Sequence, residues 1–233
     1  MKSYKLYYWP LPFRGSFITY LFAYRGVALD IEDSVAAISE MKDQAPAHQA
    51  VPHMGPPVLE DLESGHRISQ VPAIALHISG ELDLLPKAPI TNAMALKVLM
   101  DCNDLLMELS RYNGSMMWDE AAWAEFRSRR LPRWLQIFES ELRRQNIGRD
   151  EANFADIGVY ALFGNIIRCL PELEPDILEH CPGIHKLCEH IGSNPTLSTH
   201  VAWQETQYGK LYCGGQIEQS IRDMLSMDAL GKS

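Results

Sequence analysis

The chain has 233 residues and a mass of 26.4 kDa, which leaves room for one large domain or two modest ones. With 46% hydrophobic and 22% charged residues it has the apolar material for a buried core, and no low-complexity run argues for disorder. A formal charge of -9 argues against a nucleic-acid partner, because affinity for a phosphate backbone is built from clustered Lys and Arg. The one basic cluster, Arg127, Arg129, Arg130 and Arg133, is spaced like the solvated face of a helix. No apolar run approaches the roughly 20 residues of a membrane span, and the first ten residues lack the continuous apolar stretch and cleavage site of a signal peptide, so a cytoplasmic protein is expected. The five cysteines are odd in number, form no Cys-x-x-Cys pair and all lie beyond residue 100, which disfavours a disulfide framework.

In chain order, the aromatic-rich "YKLYYW" (4–9) reads as a strand. Residues 16–24 follow at helical spacing, with Phe17, Leu21 and Tyr24 on one side before Gly26 ends the pattern. "ALDIEDSV" reads as a second strand, and the polar, proline-broken 39–55 as a loop or short helix. "PPVLED" and "HRIS" flank a turn at Gly65 and predict a hairpin, and "VPAIALHIS" predicts a helix with Pro72 in its first turn. This alternation describes a small α/β layer over residues 1–84, after which the pattern becomes helical from 91 to 233. In 92–112, Leu96, Leu99, Met100, Leu106 and Met107 recur every three to four residues, with Asn103 interrupting the stripe. In 119–145, Trp123, Phe126, Trp134, Phe138 and Leu142 do the same, and Pro132 is expected to kink or split that helix. Asn153 and Asp156 have the spacing of a capping box at the start of a further helix.

Four stretches, taken together and in order, resemble the cytosolic glutathione transferases: "GPPVLED" with "ISQVPAI", "LPRWLQIFESEL", "NFADIGVYALF" and "CPGIHKLCEHIGSNPTLSTHV". The resemblance spans roughly residues 4–203. It implies an α/β plus all-α protein, a thioredoxin-like N-terminal domain followed by a helical C-terminal domain, that uses glutathione as co-substrate and forms a homodimer. The N-terminal layer has no cysteine, so thiol chemistry on it must use a bound thiol.

A free thiol has a pKa near ~8.5, and a protein that uses glutathione as nucleophile must favour its thiolate with a donor or a positive field. "YYWPLPFRG" (7–15) is similar to the Tyr-Phe-Pro-x-Arg-Gly of tyrosine-type, Pi-like enzymes, which puts Tyr8 in the tyrosine position, with Arg14 and Ser16 as the alternative donors. An ungapped comparison with serine-type enzymes instead places Leu11 where the serine would stand. Strand alternation turns Tyr7 and Tyr8 to opposite faces, so one of them reaches the site.

For glutathione itself the resemblance implies Pro56, Pro57, Ser69, Gln70, Val71 and Glu108. Pro57 matches a cis-proline, and the residue before it normally pairs through N–H and C=O with the cysteinyl backbone; Pro56 has no N–H, a loss of ~0.5 to 1.5 kcal/mol. Val71 stands where Ser or Thr usually binds the γ-glutamyl carboxylate, leaving its N–H at a helix start and the neighbouring Ser69 hydroxyl. Glu108 matches an acid that reaches the partner subunit's glutathione amine, and Tyr112, Met116 and Trp118 match the apolar pocket for the second substrate. The tail "YGKLYCGGQIE" is placed to fold over that opening or simply to turn. "HCPGIHKLCEH" lacks the two-segment ligand pattern of a zinc site, and no metal is expected. The expected activity is thiolate attack on an apolar electrophile, in conjugation, elimination or isomerisation; the alternative is a non-catalytic binding protein of the same fold.

Overall fold

The computed structural model describes residues 2–87, 89–145 and 152–230. Its sheet holds β1 (Tyr4–Tyr7), β2 (Asp30–Glu32), β3 (Val58–Asp61) and β4 (Arg67–Ser69) in the order β2-β1-β3-β4, with β2 parallel to β1 and the other pairs antiparallel. Period-two alternation along β1 buries Tyr4 and Leu6 and leaves Lys5 and Tyr7 half-exposed. On the buried face the Tyr4 ring meets Phe22 of α1 (Ser16–Tyr24) and His77 of α3 (Val71–Glu81) edge-on. On the other face Tyr7 and residues of α2 (Val35–Asp43) line a cavity of about 200 Å³. The predicted hairpin and the helix opening at Pro72 are both present, and the segment 39–55, read as a loop or short helix, holds the end of α2, which begins earlier at Val35, and a 3-10 turn, Pro46–His48.

The second part is helical. α4 (Pro89–Leu109) is followed by α5 (Arg111–Gly114), a single turn in which all four residues have positive φ. Left-handed backbone costs roughly 1–2 kcal/mol per non-glycine residue, and here the Ser110 hydroxyl offsets part of it by accepting the Asn113 N–H at 3.3 Å. α6 (Glu120–Glu125) continues through a π turn, Phe126–Arg130, into α7 (Leu131–Gln145). Pro132 lacks the N–H that would close a regular turn, and the widened turn, in which Leu131 N–H bonds to Phe126 C=O, absorbs that loss without ending the helix.

The arginine cluster is not simply a solvated face. Arg127 is tied at 2.5 Å to Asp176 of α9 (Glu174–His180) and at 2.8 Å to Asp228 of α12 (Gly215–Leu230), Arg129 pairs with Glu125, and Arg130 grips Glu108. Arg129, Arg130 and Arg133 are exposed, as a solvated helix face requires, while Arg127 and Arg130 also meet carboxylates from other helices.

α8 (Phe154–Cys169) is the central helix, packed against α1, α4 and α10 (Pro182–Gly192). Its capping box is complete: Asn153 Oδ1 accepts the Ala155 N–H at 2.8 Å, and Asp156 Oδ2 accepts the Asn153 N–H at 2.8 Å. Asn153→Ala is expected to cost about 1 kcal/mol, a fall in Tm of roughly 2–4 °C by thermal unfolding, with ligand affinity unchanged. The two parts are also joined by Tyr20 of α1, whose buried hydroxyl lies 2.9 Å from Asn165 Oδ1 of α8 and 2.8 Å from Gln204 Oε1 of α11 (Pro195–Tyr208). Burying three polar side chains this way is tolerated because each finds a partner.

Candidate functional site

The cleft between the α/β layer and the helices is a cavity of about 690 Å³. Tyr8 and Arg14, Pro56 and Pro57, and Gln70 and Val71 line it from the first layer. Asn103, Met107, Ser110 and Asn113 line it from the end of α4 and the turn that follows, and Cys213 and Ile217 from the tail. Their placement has local causes. Tyr8 lies one residue beyond β1, its N–H still bonded to Glu32 C=O at 3.1 Å, so its ring turns into the cleft while the Tyr7 hydroxyl, on the other face, donates to Glu60 at 2.6 Å.

Tyr8 is 4% exposed, and its oxygen accepts the main-chain N–H of Arg14 at 2.9 Å. Burial pushes its phenol well above the ordinary tyrosine range, against the opposing pull of the Arg14 charge and the backbone donors, so it stays a neutral O–H donor at physiological pH. Among the described residues no group accepts that proton, although the oxygen itself accepts the Arg14 N–H. The Arg14 guanidinium lies over the Phe13 ring, 4.7 Å from its centroid, and its Nη2 touches Met107 Sδ at 2.9 Å. Burial lowers its pKa, yet among the described residues it has no carboxylate partner. A neutral donor and an unneutralised cation therefore share one cleft, an arrangement that favours an anion such as a thiolate.

The protein's own thiol there is of a different kind. Burial, with the nearby Glu218 carboxylate, pushes Cys213 up to about 12, which keeps it protonated and a poor nucleophile at neutral pH.

On the opposite wall, Pro56 and Pro57 are joined by a cis peptide bond and face the cleft. Val71 opens α3, so its N–H is one of the unpaired donors of a helix start, and Gln70 before it holds a positive φ of 75°.

Other expected site residues lie elsewhere. The Ser16 side chain is wholly buried in α1 and does not line the cleft, and Ser69 ends β4 outside the lining. Glu108 is engaged within the chain: Arg130 Nε and Nη2 donate to it at 2.7 and 2.9 Å, and Trp134 Nε1 at 2.7 Å. Partial burial opposes its charge, but these donors hold its carboxyl below the usual glutamate range. The acid on the cleft is instead Asp104, one turn earlier.

Tyr112, Met116 and Trp118 do not line the cavity. α4 stops at Leu109 and a left-handed turn follows, where Tyr112 and, beyond it, Met116 are exposed, while Trp118 is 6% exposed in an aromatic cluster with Trp123 and Phe126. The apolar lining comes from Trp9, Leu11 and Phe13 of the loop after β1, together with Met107 and Ile217. Asn103 and Met107, spaced i, i+4 on α4, and Ser110 just past its end face the cleft. Asn103 is the residue that interrupts the apolar stripe of α4, and Cys213 and Ile217, about a hundred residues away, belong to the tail expected to fold over the opening or simply to turn. The tail does lie against the opening.

A thioredoxin-like layer joined to a helical domain, with a strand-end hydroxyl in the cleft between them, defines the class of protein. The chain belongs to the glutathione S-transferase family: the family model for the glutathione S-transferase C-terminal domain matches residues 94–224, more than half of the chain. Solved structures agree in fold. A Pi-class glutathione S-transferase of Onchocerca volvulus superposes with a TM-score of 0.72 at 21% identity, over 91% of this chain and 98% of its own. A rat hPGDS complexed with a quinoline gives 0.70 at 20% identity, over 86% and 96%, and a sigma class enzyme of Fasciola hepatica 0.71 at 17%, over 87% and 97%. No curated protein matches the chain.

Proposed function

We propose that the chain is a glutathione transferase in which Tyr8 donates a hydrogen bond to the glutathione thiolate and the sulfur attacks an apolar electrophile held in the same cleft. The observation that carries this reading is the Tyr8 hydroxyl, which faces the cleft with its oxygen engaged by Arg14 N–H at 2.9 Å and its proton unclaimed among the described residues. Arg14 adds positive charge beside the sulfur, Pro56, Pro57, Gln70 and the Val71 N–H hold the tripeptide, and Trp9, Leu11, Phe13 and Ile217 hold the electrophile. In the reaction an S–C bond forms and the leaving group departs with its electron pair, or the electrons of a double bond move onto the electrophile. A homodimer, a detoxifying role and a cytoplasmic location are parts of this reading supported by family membership, and Asp104, which lines the cleft, is the acid turned towards glutathione.

A second reading, a binding protein without catalysis, is favoured by Pro56, which cannot offer an N–H to the cysteinyl carbonyl, and by Val71, which has no hydroxyl. Calorimetric titration with reduced glutathione separates the two when paired with an ultraviolet difference spectrum for the thiolate. The enzyme reading expects a Kd between roughly micromolar and millimolar with a thiolate band at neutral pH. No binding at a glutathione concentration well above millimolar overturns it, and binding without a thiolate band supports the second reading.

A further inference from the structure

Glu218, in the first turn of α12, lies outside the cleft and is 6% exposed. Its Oε2 accepts three consecutive main-chain N–H groups, of Tyr212 at 3.0 Å, Cys213 at 3.0 Å and Gly214 at 2.6 Å. Its Oε1 accepts from Arg222 Nε and Nη2 at 3.0 and 2.6 Å, and Arg222 also donates to Lys210 C=O at 2.6 Å. One carboxylate thus gathers the turn that brings the tail onto the cleft. Gly214 and Gly215 give that turn its positive φ values of 71° and 65°. A Cβ at Gly214 would stand 3.3 Å from Leu11, so the turn rests directly on the cleft's apolar lip.

The segment so held connects to the site in two ways. Cys213 is itself part of the cleft wall, and the Tyr212 ring packs edge-on against Phe13 at 5.7 Å. Phe13 carries a positive φ of 23°, a backbone conformation that persists in a bulky residue only where its surroundings enforce it.

We propose that Glu218 is a positioning residue that sets the second-substrate side of the glutathione transferase cleft by holding the 212–214 turn against Leu11 and Phe13. It touches no substrate and acts through three backbone N–H groups. Burial opposes its charge, but the Gly214 N–H, the Arg222 guanidinium and the Tyr212 N–H keep its carboxyl below the usual glutamate range, consistent with a permanently ionised clasp.

The test compares wild type, Glu218→Gln and, as a control destabilised at the α8 cap outside the cleft lining, Asn153→Ala. The probe for the second-substrate side is anilinonaphthalene sulfonate, read by fluorescence without turnover, and reduced glutathione is titrated in parallel. Glu218→Gln is expected to weaken dye binding about tenfold, the scale of one lost charge-assisted hydrogen bond, while glutathione affinity stays within about twofold and Asn153→Ala moves neither. If Glu218→Gln does not fold, Gly214→Ala, which strains the same turn and leaves the carboxylate intact, is expected to give the same selective loss. Unchanged dye affinity, a wild-type cleft that takes no dye, or equal losses for dye and glutathione overturn the proposal. Failure of wild type to bind glutathione sinks the transferase reading instead, and the dye comparison still decides the role of Glu218.

Discussion

Tyr8→Phe is expected to lower kcat/KM for glutathione-dependent turnover at neutral pH by roughly 10- to 100-fold. The variant keeps the buried ring, so packing is nearly unchanged, and the loss combines the hydrogen bond to sulfur with the Arg14 N–H left without its acceptor. A hydrogen bond to a charged acceptor is worth about 1.5–3 kcal/mol, and each 1.4 kcal/mol is tenfold. The same energy raises the apparent pKa of the bound thiol by about one to two units. The sign of the pH dependence follows: a donor that stabilises thiolate helps most below the free thiol's pKa near ~8.5, so the gap between wild type and variant is widest at low pH and narrows as pH rises. Tyr8 adds no limb of its own, because burial keeps its phenol protonated across that range. A pH profile of kcat/KM with a thiolate difference spectrum checks this. Equal thiolate fractions at neutral pH in the two proteins would assign thiol activation to Arg14.

Gly15→Ala is expected to be as damaging to activity as the loss of the hydroxyl, for a steric reason that a helix-propensity argument would miss. Gly15 has φ -59° and ψ -35°, ordinary helical values at which alanine is preferred by up to ~1 kcal/mol. Yet a Cβ there would stand 2.4 Å from Tyr8 Cδ1 and 2.9 Å from Cε1, inside van der Waals contact with a ring that has little freedom to retreat. Either the ring or the Arg14–Gly15 backbone must shift, and both carry the Arg14 N–H to Tyr8 hydrogen bond. A displacement near 1 Å can cost about a hundredfold in rate, and overpacking costs roughly 1–3 kcal/mol of stability. Adding Tyr8→Ala to Gly15→Ala removes the clash, so the double variant is expected to have a smaller stability deficit than the sum of the two single variants, with activity still lost. Strict additivity in thermal unfolding, with full activity in Gly15→Ala, would show that the ring is not wedged by this glycine.

The corrections at the site share a cause. A resemblance along the sequence places Glu108 and Trp118 at the site, but their surroundings decide their use. Arg130 and Trp134 arrive from the π turn and α7 to occupy the Glu108 carboxylate. Beyond the left-handed turn at α5, Trp118 packs into the core against Trp123 and Phe126. A left-handed turn across Arg111–Gly114 is not written in local propensity, since three of its four residues are not glycine.

The sequence by itself determined the order of elements, the α/β-then-helical division, the capping box at Asn153 and Asp156, and the tyrosine at the end of the first strand. These are properties of neighbours along the chain: apolar period, proline and glycine placement, and a side chain three residues from the backbone group it caps. Tertiary structure decided which side of α4 faces the cleft, what neutralises Glu108, and that a carboxylate in the last helix anchors the turn against Phe13. Those outcomes depend on burial and charge supplied by segments distant in sequence, where the energy of a side chain is set by the partner that folding brings to it.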